Sequence, residues 1–261
     1  MKRSNQVSST EGSVEVRQAN RSVIVTGSNG EIGTSICRNL ANQGTRVYAV
    51  TRRPYTFEDA ASDLVKNVVI PSIEDEDAID DFFKTVLSDD NSWLGLVYGA
   101  AIFHRFESVD SINLHDWREI LAINLVACFS WNRRFASHCV QHGVQGSVVN
   151  ITSQAAFTGG YGGVIPYAAS KGAMISMTKG LAREFATSGV RFNCVAPGFI
   201  ETGAMRGNLE PDRLRFFFDR VPMERFGTVD EVASLVRFLL ADESSYTTGA
   251  TFDVTGGQLM H

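Results

Sequence analysis

The chain has 261 residues, 44% hydrophobic and 20% charged, with a net charge of −5. That is the balance of an ordinary soluble globule, and with no basic cluster it excludes a nucleic-acid surface. No run approaches the roughly eighteen apolar residues of a membrane span, and residues 1–20 lack the apolar core of a signal peptide. Cys37, Cys128, Cys139 and Cys194 are scattered without a CxxC pair, and His104, His115, His138 and His142 show no ligand spacing. Free thiols, no metal site and a cytoplasmic protein are the expectation.

Residues 1–20 read as a tail without periodicity. Ser22–Thr26 is a short buried-strand run, followed by the turn Gly27-Ser28-Asn29-Gly30-Glu31-Ile32-Gly33 and an amphipathic stretch to Ala41. A strand, a glycine turn and a helix together aim backbone N–H groups and a helix N-terminus at a phosphate. The next strand, Arg46–Val50, ends in Thr51-Arg52-Arg53. A site that prefers NAD usually places an acid there for the ribose hydroxyls. Two guanidiniums stand there instead, and their donor forks match a 2′-phosphate, so NADP(H) is expected over NAD(H).

Alternation continues with a strand at Asn67–Ile70, a helix from about Asp75 to Leu87, and a strand at Leu94–Tyr98 running into Gly99-Ala100-Ala101. A long helical pattern covers about Leu114 to His142. Gly146–Thr152 is the fifth strand and delivers Ser153 at its carboxyl end. Tyr167–Phe185 reads as a helix and Val190–Val195 as the sixth strand. Pro197-Gly198 opens an irregular region to about Gly227, then helix Val229–Leu240 and strand Ala250–Val254 complete the pattern. Repeated βα units of this length imply an α/β fold: a Rossmann-type, doubly wound parallel sheet between two helix layers. Nothing marks a linker, so residues 21–261 read as one domain, with a substrate lid at about 199–227.

Tyr167 and Lys171 are four apart, just after Pro166, so on a helix both side chains leave one face, one turn apart. An ammonium beside a phenol favours the phenolate and draws the tyrosine pKa down from about 10. Such a phenol exchanges a proton with a carbonyl or alcohol oxygen, and Ser153 is placed to hydrogen-bond that same oxygen. Ligands in these sheets bind at the carboxyl ends of the strands. That edge collects the glycine turn, Arg52, Gly99, Ser153 and Pro197.

In this order the motifs resemble the short-chain dehydrogenase/reductase family, in its single-domain branch, over residues 22–258. The resemblance is carried by Thr26-Gly27 to Gly33, Asn124, Ser153, Tyr167-x-x-x-Lys171, Asn193 to Pro197-Gly198 and Thr202, and Gly249 to Gly256-Gly257. It implies hydride transfer between a nicotinamide and a carbonyl or alcohol carbon. Tyr167 would be the general acid or base, and Lys171 would tune it and hold the nicotinamide ribose. Ser153 would orient the substrate oxygen, and Asn124 would hold a water that links Lys171 to solvent. The cofactor would lie against Gly27, Ser28, Asn29, Gly30, Ile32, Gly33, Thr51, Arg52, Arg53, Gly99, Ala100, Pro197, Gly198, Ile200 and Thr202, with Tyr167 and Lys171 at its nicotinamide end. A homodimer or homotetramer is also implied.

Three positions depart from the family's pattern. Glu31 stands where a glycine is usual and is expected to face solvent. Tyr98-Gly99-Ala100-Ala101 replaces Asn-Asn-Ala-Gly, so side-chain support of that strand must come from elsewhere. Pro71 replaces an acid near the adenine. The Ser153–Tyr167 gap of fourteen is one longer than common, and Gly159, Gly160, Gly162 and Gly163 would absorb the extra residue in a loop.

Phe103, Phe106, Phe157 and Tyr161 are expected at the pocket mouth. Phe216–Phe218, with Leu214 and Met205, either line a lid over an apolar substrate or pack the lid onto the core or a partner subunit. The leading expectation is an NADP(H)-dependent ketone or 3-oxoacyl reductase. The rivals are an NAD-dependent secondary-alcohol dehydrogenase and a catalytically silent NADP-binding sensor.

Overall fold

The structure is a computed structural model that describes residues 21–57, 62–86, 93–203 and 211–260. The expected tail 1–20 and Met205 lie outside the described residues, and so does the side chain of Leu214. Seven strands form one parallel sheet in the order β3-β2-β1-β4-β5-β6-β7. They are β1 Arg21–Thr26, β2 Arg46–Thr51, β3 Val65–Val69, β4 Trp93–Tyr98, β5 Gln145–Ile151, β6 Val190–Pro197 and β7 Thr251–Val254. The strand order reverses between β1 and β4, the crevice where such sheets bind ligands.

The sheet is covered on both faces, which is why its central strands are apolar along their length. All six residues of β4 are buried. On one face α1 (Glu31–Ala41) and α8 (Val229–Leu240) cover Ile36, Leu40, Val97, Val149, Val232 and Val236. On the other, α2 (Glu76–Asp81), α4 (Cys128–His142) and α6 (Ile165–Phe185) cover Phe82, Trp131, Phe135, Met174 and Phe192. Helix α8 starts on a capping box in which the Thr228 hydroxyl accepts the Glu231 N–H and the Glu231 carboxylate accepts the Thr228 N–H. All four cysteines are buried as free thiols. Burial raises every one of them, Cys37 and Cys139 to about 12 and Cys194 to about 11.

Several elements differ from the sequence expectation. The long helical pattern is α3 (Leu114–Leu121) running into α4 through a π-turn at Ala122–Ala127. One extra residue per turn there does not disturb an apolar period enough to be seen in sequence. A short helix, α5 (Ala155–Thr158), precedes the glycine loop. Strand β3 begins two residues earlier than expected, and the region after Gly198 contains helix α7 (Pro211–Phe218). The two ends of segment 199–227 are tied together: the Gly227 N–H donates to Phe199 O at 3.0 Å, and the Glu201 N–H to Gly227 O at 2.7 Å. Among the described residues, no helix is long and apolar enough to cross a membrane, and no cluster of His, Cys, Asp or Glu is arranged to hold a metal.

Candidate active site

Strand β5 and helix α6 build the centre of the site. Thr152, just past β5, donates its hydroxyl to the Lys171 carbonyl at 2.9 Å, which docks α6 on the strand end. Ser153 follows, and its Oγ accepts the Ala155 N–H at 3.1 Å and hydrogen-bonds the Tyr167 phenol. Helix α6 opens with Pro166 in its first turn, where a missing N–H costs nothing. Tyr167 and Lys171 then project one turn apart as the spacing predicts, with Lys171 Nζ 5.7 Å from the Tyr167 ring centre. The buried ammonium donates to the Ile151 carbonyl at 2.7 Å.

The charge balance runs opposite to the sequence expectation. Burial raises the Tyr167 phenol above its ordinary value, against a smaller lowering by the Ser153 hydrogen bond. Burial also drops Lys171 to about 8, offset in part by Cys128 and Cys194. Desolvation outweighs the pull that two charges four residues apart suggest. Without a ligand the pair is a neutral phenol beside a weakly held ammonium.

Asn124 sits in the π-turn, fully buried. Its amide pairs twice with Ile102: the Ile102 N–H donates to Oδ1 at 2.7 Å and Nδ2 donates to Ile102 O at 3.0 Å. Nδ2 also donates to Ser170 Oγ at 3.1 Å, and that hydroxyl donates to the Tyr167 carbonyl at 2.7 Å. Below them lies a satisfied polar floor in which Asn150 donates to Asn132 Oδ1 at 2.9 Å and to Thr178 Oγ1 at 3.0 Å.

The substrate side is aromatic. Phe103 meets the Tyr167 ring edge-on at 5.0 Å and is half exposed. The loop that carries Phe103 is clamped to the glycine loop, where the Phe106 N–H donates to Gly163 O at 2.8 Å. A side chain at Gly163, whose φ is +70°, would strike Phe106 O at 1.8 Å, so glycine is required for this approach. Across from it Tyr161 contacts Phe199 and Phe216, each with rings 6.1 Å apart. Phe217 turns inward, buried against Phe199 at 4.5 Å. The two readings of this aromatic run therefore divide between neighbours: Phe216 stands beside Tyr161 and Phe217 packs the segment down.

Two adjoining cavities share Gly27, Gly30 and Gly99 at the reversal point of the sheet. The first, about 210 Å³, is also lined by Asn29, Thr51, Arg52, Ala100 and Ile70. The second, about 240 Å³, is lined by Glu31, Ile32, Gly33 and Thr202. A Cβ on Gly33 would meet Gly27 O at 2.3 Å, and one on Gly27 would meet Ala100 N at 2.7 Å, so both must be glycine. This cradle fits a dinucleotide: a tight turn at a helix N-terminus, open to a strand end that carries Arg52 and no acid.

Of the other expected contacts, Arg53, Pro197, Gly198 and Ile200 line neither cavity. Ser28 is buried and donates its hydroxyl to Val50 O at 3.1 Å, a structural bond toward the sheet. Glu31 is exposed, but its carboxylate is not simply turned to solvent, because it accepts the Gly203 N–H at 2.5 Å. Three features escaped the sequence reading: this Glu31 contact, the role of Ser170, and the Tyr98 phenol, which donates to Ile123 O at 2.7 Å. Glu31 and Tyr98 left a signal, by standing where the resembling family has glycine and asparagine; Ser170 left none.

A family model described as enoyl-(acyl carrier protein) reductase matches residues 27–258. The chain belongs to the short-chain dehydrogenase/reductase family. It is an NAD(P)-dependent oxidoreductase acting on alcohol and carbonyl groups. Nodulation protein G of Rhizobium sp. (strain N33) is 35% identical, covering 92% of this chain and 97% of that protein. The 3-oxoacyl-[acyl-carrier-protein] reductase of Synechocystis sp. is 32% identical, covering 91% and 96%. A crystal structure of an Agrobacterium tumefaciens protein described as a 2-deoxy-D-gluconate 3-dehydrogenase, with bound NADP, superposes with a TM-score of 0.80 at 32% identity, covering 91% and 96%.

Proposed function

We propose that the protein is an NADP(H)-dependent ketone reductase, with 3-oxoacyl or similar carbonyl compounds of apolar bulk as substrates. The observation that carries this reading is the grouping, at the carboxyl end of β5, of Ser153, the half-buried Tyr167 phenol it hydrogen-bonds, and Lys171 with Nζ 5.7 Å from the Tyr167 ring centre, the phenol being protonated at neutral pH. A phenol in that form is a proton donor, which is what a carbonyl oxygen needs as it becomes an alcohol. Ser153 would steady the same oxygen as charge develops on it. Hydride transfer is the chemistry a nicotinamide supplies when bound; the chain's own part is position and a proton. Lys171 and Tyr167 would hold the nicotinamide ribose, the glycine turn the pyrophosphate and Arg52 the 2′-phosphate. The reductase relative and the NADP-bound neighbour support the cofactor and direction. The neighbour's description as a dehydrogenase favours a second reading, the same chemistry run as oxidation of a secondary alcohol.

Residues 199–227 would form the substrate lid, with the Ile200–Gly227 bridge at its base. A cytoplasmic homodimer or homotetramer belongs to the same reading, supported by exposed Val126, Phe129 and Val140 along the π-turn and α4.

The deciding experiment compares wild type with Tyr167→Phe, using ethyl acetoacetate and NADPH. The variant should lose about a thousandfold in kcat and bind NADPH within twofold of wild type. A wild type that consumes neither NADPH nor NADH with any ketone would leave the sensor standing, and an active Tyr167→Phe would remove Tyr167 from the chemistry.

A further inference from the structure

Tyr98 ends β4 inside the core, fully buried beside Leu96, Ile24 and Trp131. A large phenol there is unexpected on packing grounds, because phenylalanine fills the same space without a polar atom to satisfy. The phenol is satisfied, and at a telling place. It donates at 2.7 Å to the carbonyl of Ile123, inside the π-turn Ala122–Ala127 and one peptide before Asn124. A π-turn departs from the regular helical ladder, and this one takes a side-chain donor from the sheet at its Ile123 carbonyl. Burial holds the Tyr98 phenol well above its ordinary pKa, which keeps it a donor at any working pH.

From that peptide the connection runs through the Asn124 side chain into further hydrogen bonds. Asn124 Nδ2 donates to Ser170 Oγ at 3.1 Å, and Ser170 donates to the Tyr167 carbonyl at 2.7 Å. The return path is equally short. Asn124 pairs with both polar groups of Ile102, and Ile102 lies four residues beyond Tyr98. Between them, the Gly99 and Ala100 N–H groups donate to Thr26 Oγ1 at 3.2 and 3.3 Å, at the foot of the glycine turn. The segment 98–102 is thus bonded at both ends to the π-turn and in its middle to the cofactor cradle.

We propose that Tyr98 is a positioning residue for the reaction: its phenol fixes the Ile123–Asn124 peptide in the π-turn, and through Asn124 and Ser170 it fixes the height of Tyr167 at the carboxyl edge of the sheet. It also supplies the side-chain support that the substituted motif after β4 takes away. The inference rests on Tyr167 being the proton donor.

The test is Tyr98→Phe, which removes one oxygen and keeps the ring. Two readouts separate this inference from the functional reading. The first needs no activity: hydrogen exchange of the Ile102 amide, whose acceptor is Asn124 Oδ1. It should speed up at least tenfold while amides of β1 are unchanged; unchanged exchange at Ile102 overturns the inference. The second is a double-mutant cycle in ketone reduction with Asn124→Ala. Tyr98→Phe should lower kcat about tenfold (about 1.4 kcal/mol) with KM for NADPH unchanged, and the double variant should be no slower than Asn124→Ala alone. Losses that multiply, or a normal kcat, would show that Tyr98 acts on packing only. A wild type without turnover refutes the functional reading and leaves the exchange result to decide. Should Tyr98→Phe not fold, NMR of the wild type decides: a protected Tyr98 hydroxyl proton close to Ile123 and Asn124 supports the inference, and a freely exchanging one sinks it.

Discussion

The Glu31 carboxylate accepts the Gly203 N–H at 2.5 Å, across 172 residues of sequence. The contact joins the first turn of α1 to the opening of segment 199–227, over the cavity that also holds Gly33 and Thr202. A carboxylate there suits the helix dipole but opposes a bound pyrophosphate. Glu31→Gly should therefore tighten NADPH binding about tenfold, at a cost of about 0.5–1 kcal/mol in helix stability. Glu31→Gln, which keeps an acceptor and loses the charge, should fall between. Fluorescence titration checks the series, and weaker binding by both variants would mean that the carboxylate supports the site.

Arg52 lines the first cavity and Arg53 does not, so the two substitutions should differ. Arg52→Ala should weaken NADPH binding at least tenfold and leave NADH within twofold, because only the 2′-phosphate loses its partner. Arg53→Ala should change both by less than threefold. Parallel titrations read the ratio directly. Equal loss for the two cofactors at Arg52 would assign it to the shared part of the molecule.

Lys171 carries a pH signature. Its pKa is lowered from 10.5 to about 8 by burial. Below pH 8 both folded and unfolded chains hold the proton, and the folded state bears the full desolvation cost. Between pH 8 and 10.5 the unfolded chain holds the proton and the folded chain has released it, so stability rises with pH. Lys171→Met should abolish turnover and yet stabilise the fold at pH 7 by about 2 kcal/mol, with the advantage fading toward pH 10.5. Thermal melts of both proteins across that range test it; parallel curves would place the ammonium in solvent.

The capping box of α8 predicts a slope of the same sign in an acid window. Arg225 and the Thr228 N–H hold the Glu231 carboxyl down at about 2, against 4.5 ordinarily. Its contribution is present above pH 4.5 and is lost as pH falls from there toward 2. The Arg225 pair is exposed and adds little, so the loss in Glu231→Ala is mainly that of the cap, about 1 kcal/mol at pH 7. Denaturant midpoints at pH 7 and pH 3 should show the difference shrink; an equal difference at both would make the effect one of packing.

What the sequence disclosed and what it concealed follow from range. Strands such as Trp93–Tyr98 are apolar because both faces are covered, and that leaves a local mark. The Tyr167–Lys171 juxtaposition is one helical turn, also local. The π-turn at Ala122–Ala127 inserts a residue into a helix whose flanks keep their period, so it leaves none. The Glu31–Gly203 and Tyr98–Ile123 bonds join elements whose approach only the folded sheet defines. Spacing shows that the Tyr167 phenol and the Lys171 ammonium are neighbours, while burial, which raises the one and lowers the other, is a property of the whole assembly.

The four cysteines lie on both sides of the sheet, Cys37 under α1 and α8 and the other three toward α4 and α6, and each thiol is shut from solvent and held in its unreactive protonated form. A thiol-specific reagent can meet them only when the layers part. The rate at which native protein is labelled thus becomes a clock for opening, and its slowing by added NADPH would report, in free-energy terms, how much the bound cofactor clamps the fold.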